Sequence, residues 1–188
     1  MPWRRLVLTA LVIVPLIALL AYGFKRDPRY ITTPLLGRPA PQFSLTLFDG
    51  KTLRLEDLRG KPVFVTFWAS WCPPCRAEAA DLEAAWRKAQ NKDVIFLGVN
   101  IQDQEDQARA FMKEFGITFP NGRDVSGKLA LEYGVWGIPE AFFIGRDGKI
   151  TYKHVGSVGT AILLAKLDEA ARGIVSAHEG KGSYQSIR

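Results

Sequence analysis

The stretch Pro62-Val63-Phe64-Val65-Thr66-Phe67-Trp68-Ala69-Ser70-Trp71-Cys72-Pro73-Pro74-Cys75 decides how this chain is read. From Pro62 to Trp68 it is apolar throughout except for Thr66, as expected of a strand buried on both faces. It ends in the only two cysteines of the 188-residue chain, separated by two prolines. From Pro73 to about Ala89 the sequence is Ala-rich and helical in pattern, with Ala79, Leu82, Ala85 and Trp86 on one face. A buried strand therefore runs into a helix, and the cysteine pair sits at the junction.

That position gives the pair its chemistry. Cys72 opens a helix, so its sulfur lies by free backbone N–H groups and the positive end of the helix dipole. Both favour a thiolate, which makes Cys72 the candidate nucleophile toward a disulfide. Cys75, one turn further and expected to be the more buried, is the candidate resolving thiol. Pro73 fits a first helical turn, where a missing N–H costs little. Each of Pro73 and Pro74 also removes a donor to the thiolate, so a weakly acidified, reducing pair is expected.

Three other readings fit the pair less well. A structural disulfide at this spacing would staple almost no chain. A zinc site lacks a second cysteine pair, and His154 and His178 are distant in sequence. A peroxidase with one nucleophilic cysteine could share the N-terminal hairpin, but two cysteines beside Trp71 suit disulfide exchange better. No metal is expected, and no cofactor beyond a redox-active Cys72–Cys75 disulfide.

Moving outward, Gln42 to Leu47 and Lys51 to Leu55 read as strands joined by the turn signal Asp49-Gly50. Glu56 to Gly60 reads as a helical turn. Val94 to Val99 reads as another buried strand, and Gln104 to Phe115 as an amphipathic helix with Ala108, Phe111, Met112 and Phe115 inward. Ser126 to Tyr133 reads as a short helix closed by Gly134. Ala141 to Ile144 and Ile150 to Val155 flank a second hairpin turn, and Thr160 to Arg172 is the last helix. This order predicts an α/β fold, a mixed central sheet with helices on both faces. The expected organisation is an N-terminal anchor over 1–25, a tether over 26–36, one domain over 37–175 and a disordered tail over 176–188.

Charge and hydropathy bound the partners. The chain is 47% hydrophobic and 23% charged, an ordinary globular balance. Its net charge of +6 is concentrated at the start, where Arg4, Arg5, Lys25, Arg26 and Arg29 face Asp27 alone. From Tyr30 onward 20 basic residues meet 18 acidic ones, so nucleic acid is not an expected partner. The early basic residues flank Leu6 to Phe24, 19 uncharged residues. As a helix these span about 28 Å, close to the roughly 30 Å of a bilayer core. An uncleaved membrane helix is expected rather than a signal peptide, because Ala18 to Gly23 lacks a clean small-x-small site. The flanking charges do not set its orientation.

Phe67 to Cys75 resembles the active-site segment of the thioredoxin superfamily. Gly134-Val135-Trp136-Gly137-Ile138-Pro139 resembles its cis-proline segment. The closest resemblance is to the membrane-anchored cytochrome-c-maturation branch, the DsbE/CcmG and ResA-like group. It covers about residues 35–172 and is carried by three stretches: Leu35 to Phe43, Cys75-Arg76-Ala77-Glu78, and Gly134 to Ile144 with Pro139-Glu140 inside. The 38 residues between Asn100 and Pro139 leave room for that branch's central insert.

The resemblance implies a thioredoxin-like fold with an N-terminal β-hairpin and a cis Pro139 that presents backbone to an extended substrate. Trp71 would cover the disulfide, Trp136 would shape the groove, and Trp68 and His154 would be structural. Glu78 and Glu140 would raise a nearby thiol's pKa or carry protons, the alternatives being an exposed helical residue and a solvated loop residue. Plain thioredoxin carries a buried acid six residues before its first cysteine, where this chain has Thr66, so Glu78 or Glu140 would take that role. The implied function is reduction of the Cys-x-x-Cys-His haem-attachment site of apocytochrome c. The domain would stand on the periplasmic side of the cytoplasmic membrane, be re-reduced by a membrane thiol-transfer protein, and contact lipid only through its helix. Alternatives are an anchored reductase for other exported proteins, such as copper-site assembly factors, or a non-catalytic apocytochrome chaperone.

Overall fold

In a computed structural model of the chain, the structure describes residues 2–25, 33–176 and 180–187. They fall into two units, divided after Thr32. The first is one helix, α1 (Pro2–Lys25), with Pro15 inside it and apolar side chains such as Leu8, Leu11 and Val12 exposed. Among the described residues no helix is long and apolar enough to cross a membrane, so the expected span is not borne out. Most of the expected tether, residues 26–32, lies outside the described residues.

The second unit begins with a hairpin of β1 (Ser44–Thr46) and β2 (Thr52–Arg54), followed by a 3-10 turn at Leu55–Leu58. Then come β3 (Val63–Trp68), α2 (Pro73–Ala89), β4 (Ile95–Ile101), α3 (Glu105–Glu114), β5 (Asn121–Asp124) and α4 (Lys128–Glu132). After these come β6 (Gly137–Ile138), β7 (Glu140–Ile144), β8 (Ile150–Val155), α5 (Thr160–Ala171), β9 (Gly180–Lys181) and β10 (Gln185–Ser186). The main sheet has the order β5-β4-β3-β7-β8-β9. Strands β3, β4 and β5 are parallel, and β7 is antiparallel to both β3 and β8. The expected mixed sheet is present, and α3, β5 and α4 lie between β4 and β6.

β3 is buried at every position because both of its faces are covered. Phe64 packs with Leu82, Ala85 and Ala89 of α2 and with Leu163 and Leu167 of α5. Val63, Val65 and Phe67 point the other way, into a cluster with Leu45, Ala108, Phe111 and Leu129. Each fully buried aromatic or aliphatic side chain contributes about 1.5–3 kcal/mol. The register sets Phe67 opposite Glu140 and Trp68 opposite Asn100. The C-terminal ends of β3 and β4 and the start of β7 thus meet at one edge of the sheet.

The segment after residue 175, expected to be disordered, carries two short strands. β9 extends the sheet beside β8, and β10 pairs with β6. Polar composition hid them, because their pairing is made by backbone groups. Residues 177–179, His178 among them, lie outside the described residues.

Candidate active site

Cys72 is the N-cap of α2, in extended backbone conformation (φ −88°, ψ 112°). Its sulfur accepts the Cys75 N–H at 3.2 Å, and its carbonyl accepts the Arg76 N–H at 3.1 Å. Pro73 and Pro74 fill the first two helical positions. An N-cap side chain ordinarily accepts from the second or third helical N–H. Pro74 has removed the second, which leaves Cys75 as the donor. The two cysteines are joined in a disulfide with Cα atoms 5.2 Å apart. Contrary to expectation, Cys72 is as buried as Cys75, at 0% and 2% exposure. The Ile138 carbonyl and the core cluster that includes Ile138 enclose the helix start, which the helical pattern alone does not reveal.

The second wall is the segment leading into β7. The Ile138–Pro139 peptide is cis, as expected. The Ile138 carbonyl oxygen lies 3.6 Å from Cys72 Sγ. Glu140, far from being a solvated loop residue, is fully buried. One carboxylate oxygen accepts the N–H groups of Trp136 (3.0 Å) and Gly137 (2.9 Å), and the other lies 3.0 Å from Lys153 Nζ. Lys153, itself buried on β8, also donates to the Gly134 carbonyl at 3.4 Å. Burial pushes the Glu140 carboxyl upward, and Lys153 and the two N–H groups oppose that push. The buried pair fastens the cis-proline segment to the sheet from below.

Glu78 stands three residues after Cys75 on α2, so the two share a helix face. It is buried, where an exposed helical residue was the alternative, and its Oε2 accepts the Val158 N–H at 2.8 Å. Burial pushes its carboxyl up to about 8, against the lowering effect of Val158 and with a smaller upward push from Asp81. At neutral pH it can therefore hold or accept a proton. Thr66 is buried, and its hydroxyl has no hydrogen-bond partner among the described residues. His154 is structural: its ring nitrogens lie 3.2 Å from the Tyr152 hydroxyl and 3.1 Å from the Ser157 carbonyl.

The third wall follows β4. Asp103 takes the Ser70 N–H at 2.6 Å and the Ser70 hydroxyl at 2.8 Å, and it also accepts from the Asn100 amide at 2.8 Å. Arg123 donates to the Asp103 carbonyl. The Trp71 indole N–H is anchored on the Gln102 carbonyl at 2.9 Å, and the ring is 43% exposed. Trp71 thus lines a cleft of about 390 Å³ with Ser70, Arg76, Asp103 and Phe111. Trp68 is core, stacked on Phe111 and bonded to Asn121. The sequence reading missed Asp103, Asn100 and Lys153. The first two had a signal, because Asn100 stands at the end of a parallel strand that adjoins the end of β3 and Asp103 follows just after it. Lys153, inside an apolar strand, carried none that tied it to Glu140.

Residues 36–153 match the AhpC/TSA family. The chain is 36% identical to "Thiol:disulfide interchange protein DsbE" of Allochromatium vinosum, over 85% of this chain and 88% of that protein. It is 33% identical to "Thiol-disulfide oxidoreductase ResA" of Bacillus thuringiensis, over 64% of this chain and 70% of that protein. Among solved structures it resembles a secreted Mycobacterium tuberculosis disulfide oxidoreductase described as homologous to E. coli DsbE. That likeness has a TM-score of 0.61 and 28% identity, covering 68% of this chain and 95% of that one.

Proposed function

We propose, for a chain that belongs to the AhpC/TSA family and is a thioredoxin-like protein-disulfide oxidoreductase, the role of a reductant in cytochrome c maturation. The observation that carries the reducing direction is the Cys72 cap. Its sulfur receives one helix N–H where two prolines have displaced the others. A less stabilised thiolate is a better donor of its electrons, because reduced Cys72 is held less strongly.

The exchange runs in two displacements. Reduced Cys72 attacks one sulfur of a substrate disulfide, forming a mixed disulfide and releasing the other substrate sulfur as a thiolate. Cys75 then loses its proton and attacks Cys72 Sγ, closing the Cys72–Cys75 disulfide and releasing the second substrate thiolate. Two electrons pass to the substrate, and the Cys75 proton has a nearby acceptor in Glu78. The cis-proline edge aligns the substrate backbone beside Cys72. A dithiol of a membrane thiol-transfer protein restores the pair by the reverse exchange.

The substrate we assign is the Cys-x-x-Cys-His segment of apocytochrome c. The domain would work on the periplasmic side, held to the cytoplasmic membrane by Leu6 to Phe24. Support for the anchor is the 19-residue uncharged run and its basic flanks. Deleting residues 2–25 should move the protein from the membrane fraction to the soluble one, and retention at the membrane would refute the anchor. Cys75→Ala should trap substrates as mixed disulfides at Cys72, and a trapped set without apocytochromes c would sink the substrate assignment. Full cytochrome c yield from a Cys72→Ala/Cys75→Ala chain would instead favour a chaperone.

A further inference from the structure

The groove beside Cys72 is filled by the chain itself. β10 pairs antiparallel with β6, setting Gln185 opposite Ile138 and Ser186 opposite Gly137. This is the edge directly before cis Pro139, and its Ile138 carbonyl faces Cys72 Sγ. Tyr184 packs edge-on against Trp136 with ring centroids 4.7 Å apart. The Ile187 N–H donates to the Trp136 carbonyl at 3.4 Å, and the Ile187 side chain packs on the cluster that holds Cys72, Cys75 and Ile138.

The approach of this segment is also built in. The Ser157 N–H donates to the Ser183 carbonyl at 2.8 Å, and the Gly182 N–H donates to the Val155 carbonyl at 2.6 Å. Gly156 and Gly182 meet where neither can carry a Cβ. At Gly156 it would run into the Gly182 backbone, and at Gly182 into the Ser157 carbonyl. A Cβ on Gly137 would stand 2.9 Å from the Tyr184 ring. Glycine thus stands at each point of closest contact.

We propose that residues 182–187 are an internal strand that holds the place of an extended substrate on the Gly137–Ile138 edge, and that disulfide exchange requires this strand to lift. A strand edge offers its backbone groups once, so the internal strand and an incoming chain exclude each other. The segment is short and its Gly182, Ser183, Gln185 and Ser186 are exposed, which places it among the parts that open locally. Its side chains also describe what the groove accepts: an aromatic ring against Trp136 and an aliphatic group three residues later. A ligand that cannot displace this occupant is rejected, which gives a reductant selectivity among disulfides.

The strand's effect on substrate exchange rests on the function proposed above, whereas its effect on access to Cys72 does not, and the test separates the two. The reduced full chain, its Gly182→Val variant and a chain ending at Lys181 are compared for alkylation of Cys72 by iodoacetamide. A docking equilibrium on the order of ten to one would slow access about tenfold, so both variants should react faster by about that factor. A synthetic peptide of residues 182–188 should slow the shortened chain again. Equal alkylation rates in all three proteins, or no effect of the peptide, would overturn the proposal. Exchange with a disulfide-bridged Cys-x-x-Cys-His peptide is measured in parallel. Faster alkylation without exchange in any of the proteins would uphold the internal strand and defeat the redox function instead.

Discussion

At the scale of the residue, the chemistry turns on which donors and acceptors each sulfur and carboxyl meets. Pro74 occupies the helical position whose N–H would otherwise reach Cys72 Sγ. Pro74→Ala restores that donor. A hydrogen bond to a charged group is worth about 1.5–3 kcal/mol, so the Cys72 thiol pKa should fall by about one unit or more. Thiolate absorbance during a pH titration measures this, and an unchanged pKa would detach the prolines from the reducing character.

Glu78 sets a second prediction. Its folded pKa of about 8 lies above the ordinary 4.5, so folding favours the protonated form. The stability it permits is whole below about pH 4.5 and is lost as pH rises toward 8, by a few kcal/mol in all. Glu78→Gln keeps an acceptor for the Val158 N–H and cannot ionise. Urea midpoints at pH 5 and pH 9 should therefore separate in the parent chain and lie closer together in the variant. An equally steep loss in both would place the pH dependence elsewhere.

At the scale of the element, the site is three strand ends and one helix start, tied together by polar contacts that are buried or partly buried. β6 and β7 depend on Glu140 and Lys153, a buried pair at 3.0 Å. Glu140→Gln keeps acceptors for Trp136 and Gly137 but strands the Lys153 charge, which should cost about 3–5 kcal/mol. Glu140→Gln/Lys153→Met removes both charges and should recover most of that loss. A double-mutant cycle by denaturant unfolding reads the coupling, and additive effects would show that the pair does not act as a unit. The loop after β4 depends on Asp103. Asp103→Ala frees Ser70 and unsettles Trp71, so turnover should fall with little change in the unfolding midpoint. A matched fall in both would make Asp103 merely structural.

These elements also show how far a sequence reading reaches. β3, α2, α3 and α5 were legible because apolar periodicity is local and long enough to be unambiguous in each. β5, β6, β9 and β10 were not. Asn121–Asp124 has no apolar pattern, and the other three are two-residue strands whose existence consists of pairing with a distant edge. The same limit applied to charge. Nothing near Glu78 or Glu140 in sequence marks them as buried, because the groups that bury and bond them, Val158 and Lys153, arrive from other strands and loops.

At the scale of the whole molecule, the chain is one helix and one folded unit from Thr33 onward. Both buried clusters belong to the second unit. The sequence by itself determined the cysteine pair and the strand-to-helix junction that holds it, because these reside in contiguous residues with short-range physical consequences, whereas cis Pro139 was legible only through the resemblance to the thioredoxin superfamily. Only the tertiary structure decided that Cys72 is enclosed, that Glu78 and Glu140 are buried acids with named partners, and that residues 184–187 lie on the edge beside the disulfide. Burial and strand pairing are made between segments far apart in the chain, so no local pattern records them.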